Sequence, residues 1–359
     1  MIAQAFISNR PNGLPEQLQL KSHSKCYYQM IVTHVFKLCS LNFIARLLIV
    51  IGLLQPIYSN AQPYPNRPIK LVVPFAPSGG TDVIARPFAK VLGEKLGVSI
   101  IIDNRPGAAG TVGAEYVAKS NPDGYTLLVY HIAMITSHHL QKNMGYDALK
   151  DFTPISIICN ATNVVAITAK SPIKNFQELI VEAKKNPGSI NFGTSGAGGS
   201  DHLGGQLLQI VTNTEMSHIP FKGGGPANVA AAAGDIQITT GTLAQAASLI
   251  KAGMLRGLVV MQKDRSPAMP DIPSAPEAGY PALIHPSWFG VWGPAKLPKE
   301  VTQKLSLAIK ETLESAEVKQ AFAQIGADPV WTTPAQFASF NEQEYNRWNT
   351  VLKDKFVDK

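Results

Sequence analysis

The sequence predicts an α/β fold made of two lobes. Three observations support this fold class. Short β-branched and apolar runs alternate with helical stretches from about residue 62 onward, which is typical of layered α/β proteins. A chain of 359 residues is long enough for about two globular domains. Two of the predicted strands also follow each other too closely for a helix to connect them within one parallel sheet.

Eight apolar runs are predicted to be strands. They are Ile69–Phe75, Val98–Ile102, Tyr125–Tyr130, Ile155–Cys159, Val164–Thr168, Ser189–Phe192, Ile236–Thr239 and Leu255–Met261. Helices are predicted between them, such as Phe176–Lys185, which Pro187 and Gly188 end, and Ala227–Ala233, which Gly234 ends. From Pro298 onward the pattern is mainly helical.

The link between the fourth and fifth predicted strands sets the domain organisation. Only Asn160 to Asn163 separate the two strands, whereas a crossover helix needs about ten residues. We therefore expect the chain to cross there from one lobe to the other and to return near Trp288 to Trp292. The predicted lobes are residues 62–162 with 288–359, and residues 163–287. We expect the aromatic cluster at the return crossing to pack between elements and not to stack on a ligand.

Residues 1–61 are interpreted as a leader that directs export. Lys37 and Arg46 precede the apolar run from Leu47 to Leu54, which is far shorter than the roughly 20 residues of a membrane span. The small residues that end in Ala61 offer a signal peptidase site, so cleavage is predicted after Ala61. Initiation at Met30 would place the start of the signal closer to its apolar run.

Charge and composition exclude several classes of function. The net charge of +7 falls to +3 without the leader, because residues 62–359 hold 27 basic and 24 acidic residues. So small an excess does not indicate a nucleic-acid-binding surface. Cys159 is the one cysteine outside the leader, so no intrachain disulfide is expected. The eight histidines lack metal-ligand spacing, and no dinucleotide or phosphate-loop motif is complete, so neither a metal nor a cofactor is predicted.

Four glycine-rich segments stand out, and most of them lie where a predicted strand leads toward a helix, the edge at which α/β sheets bind ligands. Small residues there let backbone N–H groups face an anion. Each segment alone could be a tight turn, but four together favour a shared cleft. Arg105 could pair with a carboxylate or position its loop, and Lys222 could place a positive charge at the mouth of the cleft. The segments are 74–82, 104–110, 193–202 and 221–226.

A hydrolase is the alternative from a different class of function. The segment from Gly193 to Ala197 differs from a nucleophile elbow at its last residue, and the sequence indicates no histidine partner for Ser195. Labelling of Ser195 by a fluorophosphonate would support this alternative. We interpret the chain as a binding protein and not as an enzyme.

From Tyr64 onward the chain resembles, nearly end to end, the substrate-binding proteins of tripartite tricarboxylate transporters, also called the Bug family. Its motifs occur in the order typical of that family. They are the segments 64–69, 73–82, 104–107, 122–128, 151–154, 222–223, 251–253, 265–267 and 287–290.

The resemblance implies a type II periplasmic-binding-protein fold, in which two α/β lobes joined by two crossover strands close on a ligand. It implies a small organic acid as the ligand, with one carboxylate near residues 78–82 and the other near Thr194, Ser195 and Ser200. It further implies a periplasmic monomer that delivers the acid to the transporter's membrane subunits. A sensor that docks onto a membrane receptor is the alternative, and no nucleic-acid partner is expected.

Fourteen residues are predicted to bind the ligand. They are Ser78, Gly79, Gly80, Thr81, Asp82, His131, Thr194, Ser195, Gly196, Ser200, His202, Lys222, Gly223 and Gly241. The chain departs from the family pattern near several of them, with Asp201 in place of the usual glutamine and Gly241 near a usual aspartate. Those departures leave the identity of the acid open.

Overall fold

Two β-sheets form the framework of residues 63–140 and 144–356, which the computed structural model describes. The predicted leader, with its cleavage site at Ala61 and the alternative start at Met30, lies outside the described residues. In chain order the strands are β1 Ile69–Val73, β2 Ile100–Asn104, β3 Thr126–His131, β4 Phe152–Thr162, β5 Val164–Thr168, β6 Asn191–Thr194, β7 Ser217–Pro220, β8 Ile238–Thr239, β9 Leu255–Val260, β10 Pro286–Pro294 and β11 Ala327–Pro329.

Helices pack on both sheets. In chain order they are α1 Gly80–Leu96, α2 Thr111–Ala118, α3 Ala133–Leu140, α4 Phe176–Lys185, α5 Ser200–Thr212, α6 Gly224–Ala233, α7 Leu243–Lys251, α8 Lys299–Glu314, α9 Ala316–Gln324 and α10 Pro334–Phe356. Within the two described ranges, none of these helices combines the length and the apolar character that crossing a membrane requires.

The first sheet has the strand order β11-β4-β10-β3-β1-β2, and the second has the order β7-β6-β8-β5-β9. β1 runs parallel to β2 and β3, and β6 runs parallel to β7 and β8. β10 is antiparallel to β3 and β4, and β5 is antiparallel to β8 and β9. The two-lobed α/β architecture is confirmed. In each sheet the strand on which the chain arrives from the other sheet runs against its neighbours, and in the first sheet β11 is also antiparallel to β4.

The chain passes between the sheets through Asn163. β4 ends at Thr162 in the first sheet and β5 begins at Val164 in the second, while β10 carries the chain back through the predicted return crossing. Asn163 is fully buried, and its Nδ2 donates to Ser200 Oγ at 3.2 Å and to the Thr240 carbonyl at 3.3 Å. The crossing is therefore bonded to loops of the second sheet. The boundaries 62–162 with 288–359, and 163–287, stay predictions.

Separate apolar cores fix each sheet to its helices. In the first sheet Leu71 of β1 and Phe88 of α1 are fully buried in one cluster. In the second, Phe192 of β6 and Ile238 of β8 share another cluster. The strand ends and helix starts that carry glycine-rich loops are thereby held in fixed positions at one edge of each sheet. The Trp292 ring packs 4.8 Å from the ring of Phe337, centroid to centroid.

Candidate functional site

A small cavity lies where loops of the two sheets meet. Its volume is about 20 Å³, which is room for about one water molecule. Both sheets and their loops supply its walls. The lining residues are Phe75, Gly79, Gly80, Thr81, His131 and Phe289 with the first sheet, and Ser195, Ser200, Asp201, Gly224, Gly241, Thr242 and Gln245 with the second.

Four helices, α1, α5, α6 and α7, begin at this cavity. None of their N-cap residues accepts a hydrogen bond from its helix through a side chain, and three of them are glycines. The first N–H groups of a helix have no partner within that helix, and each N-terminus carries about half a positive charge. Four such ends at one place favour an anion. The N-cap residues are Gly79, Gly199, Gly223 and Thr242.

The hydroxyl of Thr242 is a buried group without a partner in the described part of the chain. The residue is 4% exposed, and its Oγ1 makes no hydrogen bond. Leaving such a group unpaired costs about 1–3 kcal/mol. A Cβ at Gly80 would lie 2.5 Å from this oxygen, so only glycine lets α1 approach so closely. Thr242 Oγ1 is therefore available to a ligand held between the two sheets.

Asp201 brings a carboxylate to the cavity. It accepts hydrogen bonds from the Ser195 N–H at 2.6 Å, the Ser195 hydroxyl at 2.8 Å and the His202 N–H at 3.0 Å. Among the described residues no Lys or Arg forms an ion pair with it. Burial raises the pKa of Asp201 to about 6, although these hydrogen bonds act to lower it. Asp201 therefore changes charge close to neutral pH.

His131 on β3 offers a neutral donor. Its Nδ1 accepts a hydrogen bond from the Ala133 N–H at 3.1 Å, and its ring stacks on Phe75 with 4.9 Å between the centroids. Burial lowers the pKa of His131 to about 3. The ring is therefore neutral, and since Nδ1 accepts, the proton lies on Nε2. Since His131 lines the cavity, its Nε2–H is a neutral hydrogen-bond donor at the site.

Two further histidines support the loop that carries Ser195. His218 Nε2 and Thr194 Oγ1 are hydrogen bonded at 2.6 Å, and Thr194 Oγ1 also accepts from the Gly196 N–H at 3.1 Å. His202 Nδ1 accepts from the Gly198 N–H at 3.3 Å. Burial lowers the pKa of His202 to about 4 and also lowers that of His218. In residues 63–140 and 144–356, no group of three His, Cys, Asp or Glu side chains is placed to hold a metal ion.

Asp82 holds the first glycine-rich loop. Its carboxylate accepts from the Ser78 N–H at 3.0 Å, from Arg86 at 2.8 Å through two nitrogens and from Asn104 Nδ2 at 3.0 Å. Burial acts to raise the pKa of Asp82, but the hydrogen bonds from Arg86, Asn104 and Ser78 outweigh it and lower the pKa. The carboxylate thus stays ionised and fixes the loop. Arg105 likewise pairs with Asp103 at 2.8 Å.

Half of the fourteen predicted residues line the cavity. They are Gly79, Gly80, Thr81, His131, Ser195, Ser200 and Gly241. The other seven lie in the supporting loops, in helix starts or, for Thr194, at the end of β6, and do not line it. They are Ser78, Asp82, Thr194, Gly196, His202, Lys222 and Gly223. Six residues that line the cavity were not among the fourteen: Phe75, Asp201, Gly224, Thr242, Gln245 and Phe289. A signal for Thr242 existed, because it lies between a predicted strand and an apolar helical stretch, as segments 74–82 and 193–202 do.

The chain is similar to known proteins over most of its length. Residues 84–356 match the family described as the tripartite tricarboxylate transporter family receptor. Protein BugT of Bordetella pertussis is 35% identical over 316 residues, which cover 86% of this chain and 97% of that protein. The structure of R. palustris Rpa4515 with adipate is 34% identical with a TM-score of 0.78, covering 81% of this chain and 97% of that one. MatC of Rhodopseudomonas palustris with bound malate is 29% identical with a TM-score of 0.76, covering 80% and 100%.

Proposed function

The chain belongs to the tripartite tricarboxylate transporter family of receptors, and from this membership we propose that it captures a small organic acid in the periplasm. The convergence of four helix N-termini without side-chain caps on one cavity supports this proposal most strongly. A dicarboxylate is the favoured class, since adipate and malate, which the two similar structures hold, both carry two carboxylates.

Neutral donors would hold the charge of the acid. The N–H groups of Thr81, Ser200 and Gly224 stand in the first turns of α1, α5 and α6, and Thr242 adds a hydroxyl. Hydrogen bonds to a charged partner contribute about 1.5–3 kcal/mol each. About four of them suffice for the roughly 8 kcal/mol of a micromolar site.

Entry of the acid requires the two lobes to separate. A cavity of about 20 Å³ is smaller than any dicarboxylate. Hydrogen bonds that join the loops of the two sheets would break on opening, such as the Ala76 N–H to the Lys222 carbonyl at 3.2 Å and Thr136 Oγ1 to the Gly198 carbonyl at 2.7 Å. An acid that bonds to both lobes stabilises the closed form by its differential affinity.

The closed protein would then deliver its acid to the membrane subunits of a tripartite transporter as a periplasmic monomer. The signal peptide predicted in residues 1–61 supports export. A receptor-docking sensor is the second candidate, and genes for permease subunits beside this one would favour the transporter. Catalysis is not proposed, because the Ser195 hydroxyl donates to Asp201 and not to a histidine base.

Calorimetric titration of the purified full-length protein with a broad panel of acids tests the proposal. The panel comprises linear dicarboxylates, aromatic acids and amino acids, and 1,6-hexanediol serves as an uncharged control that matches adipate in length. We expect at least one acid to bind with a micromolar Kd and to raise the Tm, and we expect no binding of the diol. A panel without a single binder would overturn the proposal.

A further inference from the structure

The Gln245 side chain on α7 extends across the cavity to the start of α1. Its Oε1 accepts a hydrogen bond from the Gly80 N–H at 3.3 Å. Gln245 comes shortly after β8 of the second sheet, whereas Gly80 follows β1 of the first sheet, so this bond joins the two sides of the cavity. The residue is half-buried and lines the cavity.

Three glycines make room for the carboxamide of Gln245. A Cβ at Gly224 would overlap Oε1, a Cβ at Gly241 would overlap Nε2, and a Cβ at Gly80 would lie 3.3 Å from Oε1. None of these three glycines has a positive φ. Glycine at these positions therefore leaves space for the carboxamide where it lies, and the backbone conformation does not require glycine. Three separate loops thus accommodate this one side chain.

The hydrogen bond to Gly80 fixes the orientation of the carboxamide. Because Oε1 accepts from an N–H donor, Nε2 points the other way, with two N–H groups of its own. No described residue accepts a hydrogen bond from Nε2. The Gln245 backbone is bonded separately: its carbonyl accepts from Asn228 Nδ2 at 2.8 Å and its N–H donates to the Thr242 carbonyl at 3.1 Å. An amide donor without an acceptor, in a cavity that favours anions, matches a carboxylate oxygen.

We propose that Gln245 is a specificity-determining residue, which donates a hydrogen bond from Nε2 to the carboxylate of the acid and limits its length by its own bulk. This inference rests on the proposed function. Glutamate in place of Gln245 has nearly the same shape but would put a carboxylate inside the cavity. That carboxylate would accept the hydrogen bond from the Gly80 N–H and would lie at the positively charged helix N-termini, in competition with the acid. It would also add a second negative charge beside Asp201.

Three variants separate the donor role of Gln245 from its bulk. Calorimetry would measure the Kd of each for malonate, succinate, glutarate and adipate. Gln245→Met keeps the length but lacks the donor, so the tightest acid should bind about tenfold more weakly or worse. Gln245→Ala should shift the preference toward longer acids, with a rise of about tenfold in the adipate-to-succinate affinity ratio. Gln245→Glu should abolish binding at pH 8. Gln320→Met, on the exposed side of α9, is the control that should bind like the wild type.

Each outcome decides one part of the inference. Tight binding by Gln245→Met would overturn the donor role, and an unchanged length preference in Gln245→Ala would overturn the role of bulk. A thermal unfolding curve for every variant shows whether it is folded. If Gln245→Met does not fold, Gln245→Glu still tests the donor role, and binding by Gln245→Glu at pH 8 as tight as that of the wild type would overturn it. A wild-type protein that binds no acid of the series overturns the inference. Binding of aromatic acids or amino acids in the broader panel would then still support the proposed function.

Discussion

Ligand affinity is expected to fall as the pH rises from about 6 to about 8, because Asp201 shares its cavity with the bound acid. Burial raises the pKa of Asp201 to about 6, so the group is mainly ionised at pH 8. Burial lowers the pKa of His131 to about 3 and of His202 and His285 to about 4, so these three histidines do not change charge in this interval. Burial also lowers the pKa of His218. Asp82 remains ionised throughout, because its pKa is lowered.

The size of the effect follows from the closeness of the two negative charges. At a separation of about 5 Å and an effective dielectric constant of about 20, two unit charges repel by about 3 kcal/mol. This repulsion equals about two pKa units, so a bound carboxylate should hold a proton on Asp201 at pH 7. Binding then takes up close to one proton, and the Kd should rise by up to about tenfold per pH unit above the pKa of the free protein.

Calorimetric titration at pH 5.5 to 8, in buffers of different ionisation enthalpy, measures both the Kd and the number of protons taken up. Asp201→Asn should remove the pH dependence, whereas Asp264→Asn, at an exposed site away from the cavity, should retain it. A Kd that stays constant from pH 6 to 8, without proton uptake in the wild type, would refute the reasoning.

Three substitutions test the supports of the site. Asn163→Ala should lower the free energy of unfolding in urea by about 1–3 kcal/mol and weaken binding, because Ser200 loses a buried partner; an unchanged unfolding midpoint would contradict this. Asp82→Asn should lower the free energy of unfolding by about 1–2 kcal/mol at pH 7. The ion pair with Arg86 contributes little of this loss, because the Arg86 side chain is 54% exposed and water screens the pair. The pKa of Asp82 is lowered on folding, so its contribution is present above pH 3.8 and is lost as the pH falls through the lowered value. If the free energy of unfolding of this variant and of the wild type fell equally at low pH, the stabilising role of the Asp82 carboxylate would be wrong. Gly224→Ala should weaken acid binding at least about tenfold, because its Cβ overlaps the Gln245 carboxamide; an unchanged Kd in calorimetry would show that the side chain moves freely.

The sequence predicted most strands and the crossing between the sheets, because both depend on local patterns. Helix Phe176–Lys185 has the predicted bounds, and the short link before Val164 marks the change of sheet. Of the three strands outside the eight predicted runs, β10 was expected only as the return crossing, and β7 and β11 were missed. β7 contains one aliphatic residue, Ile219, and β11 has three residues and ends in Pro329. Both are edge strands, which form by pairing with a neighbour and need no buried apolar run.

The location of the site was predictable in part, since glycine-rich turns after strands meet at one edge of a sheet. The role of each side chain was not. Asp82 could have been a ligand-binding group or a support, and only the contacts with Arg86 and Asn104 show that it fixes the loop. Gln245 gave no signal at all, because its place depends on glycines from three loops that come together only when the two sheets pack.

The most direct test is a crystal structure of the protein with its tightest-binding acid. We expect a carboxylate oxygen within about 3 Å of N–H groups in the first turns of α1, α5 or α6, at Thr81, Ser200 or Gly224. A carboxylate that contacts none of these helix starts, or an acid bound away from the cavity between the sheets, would contradict the account.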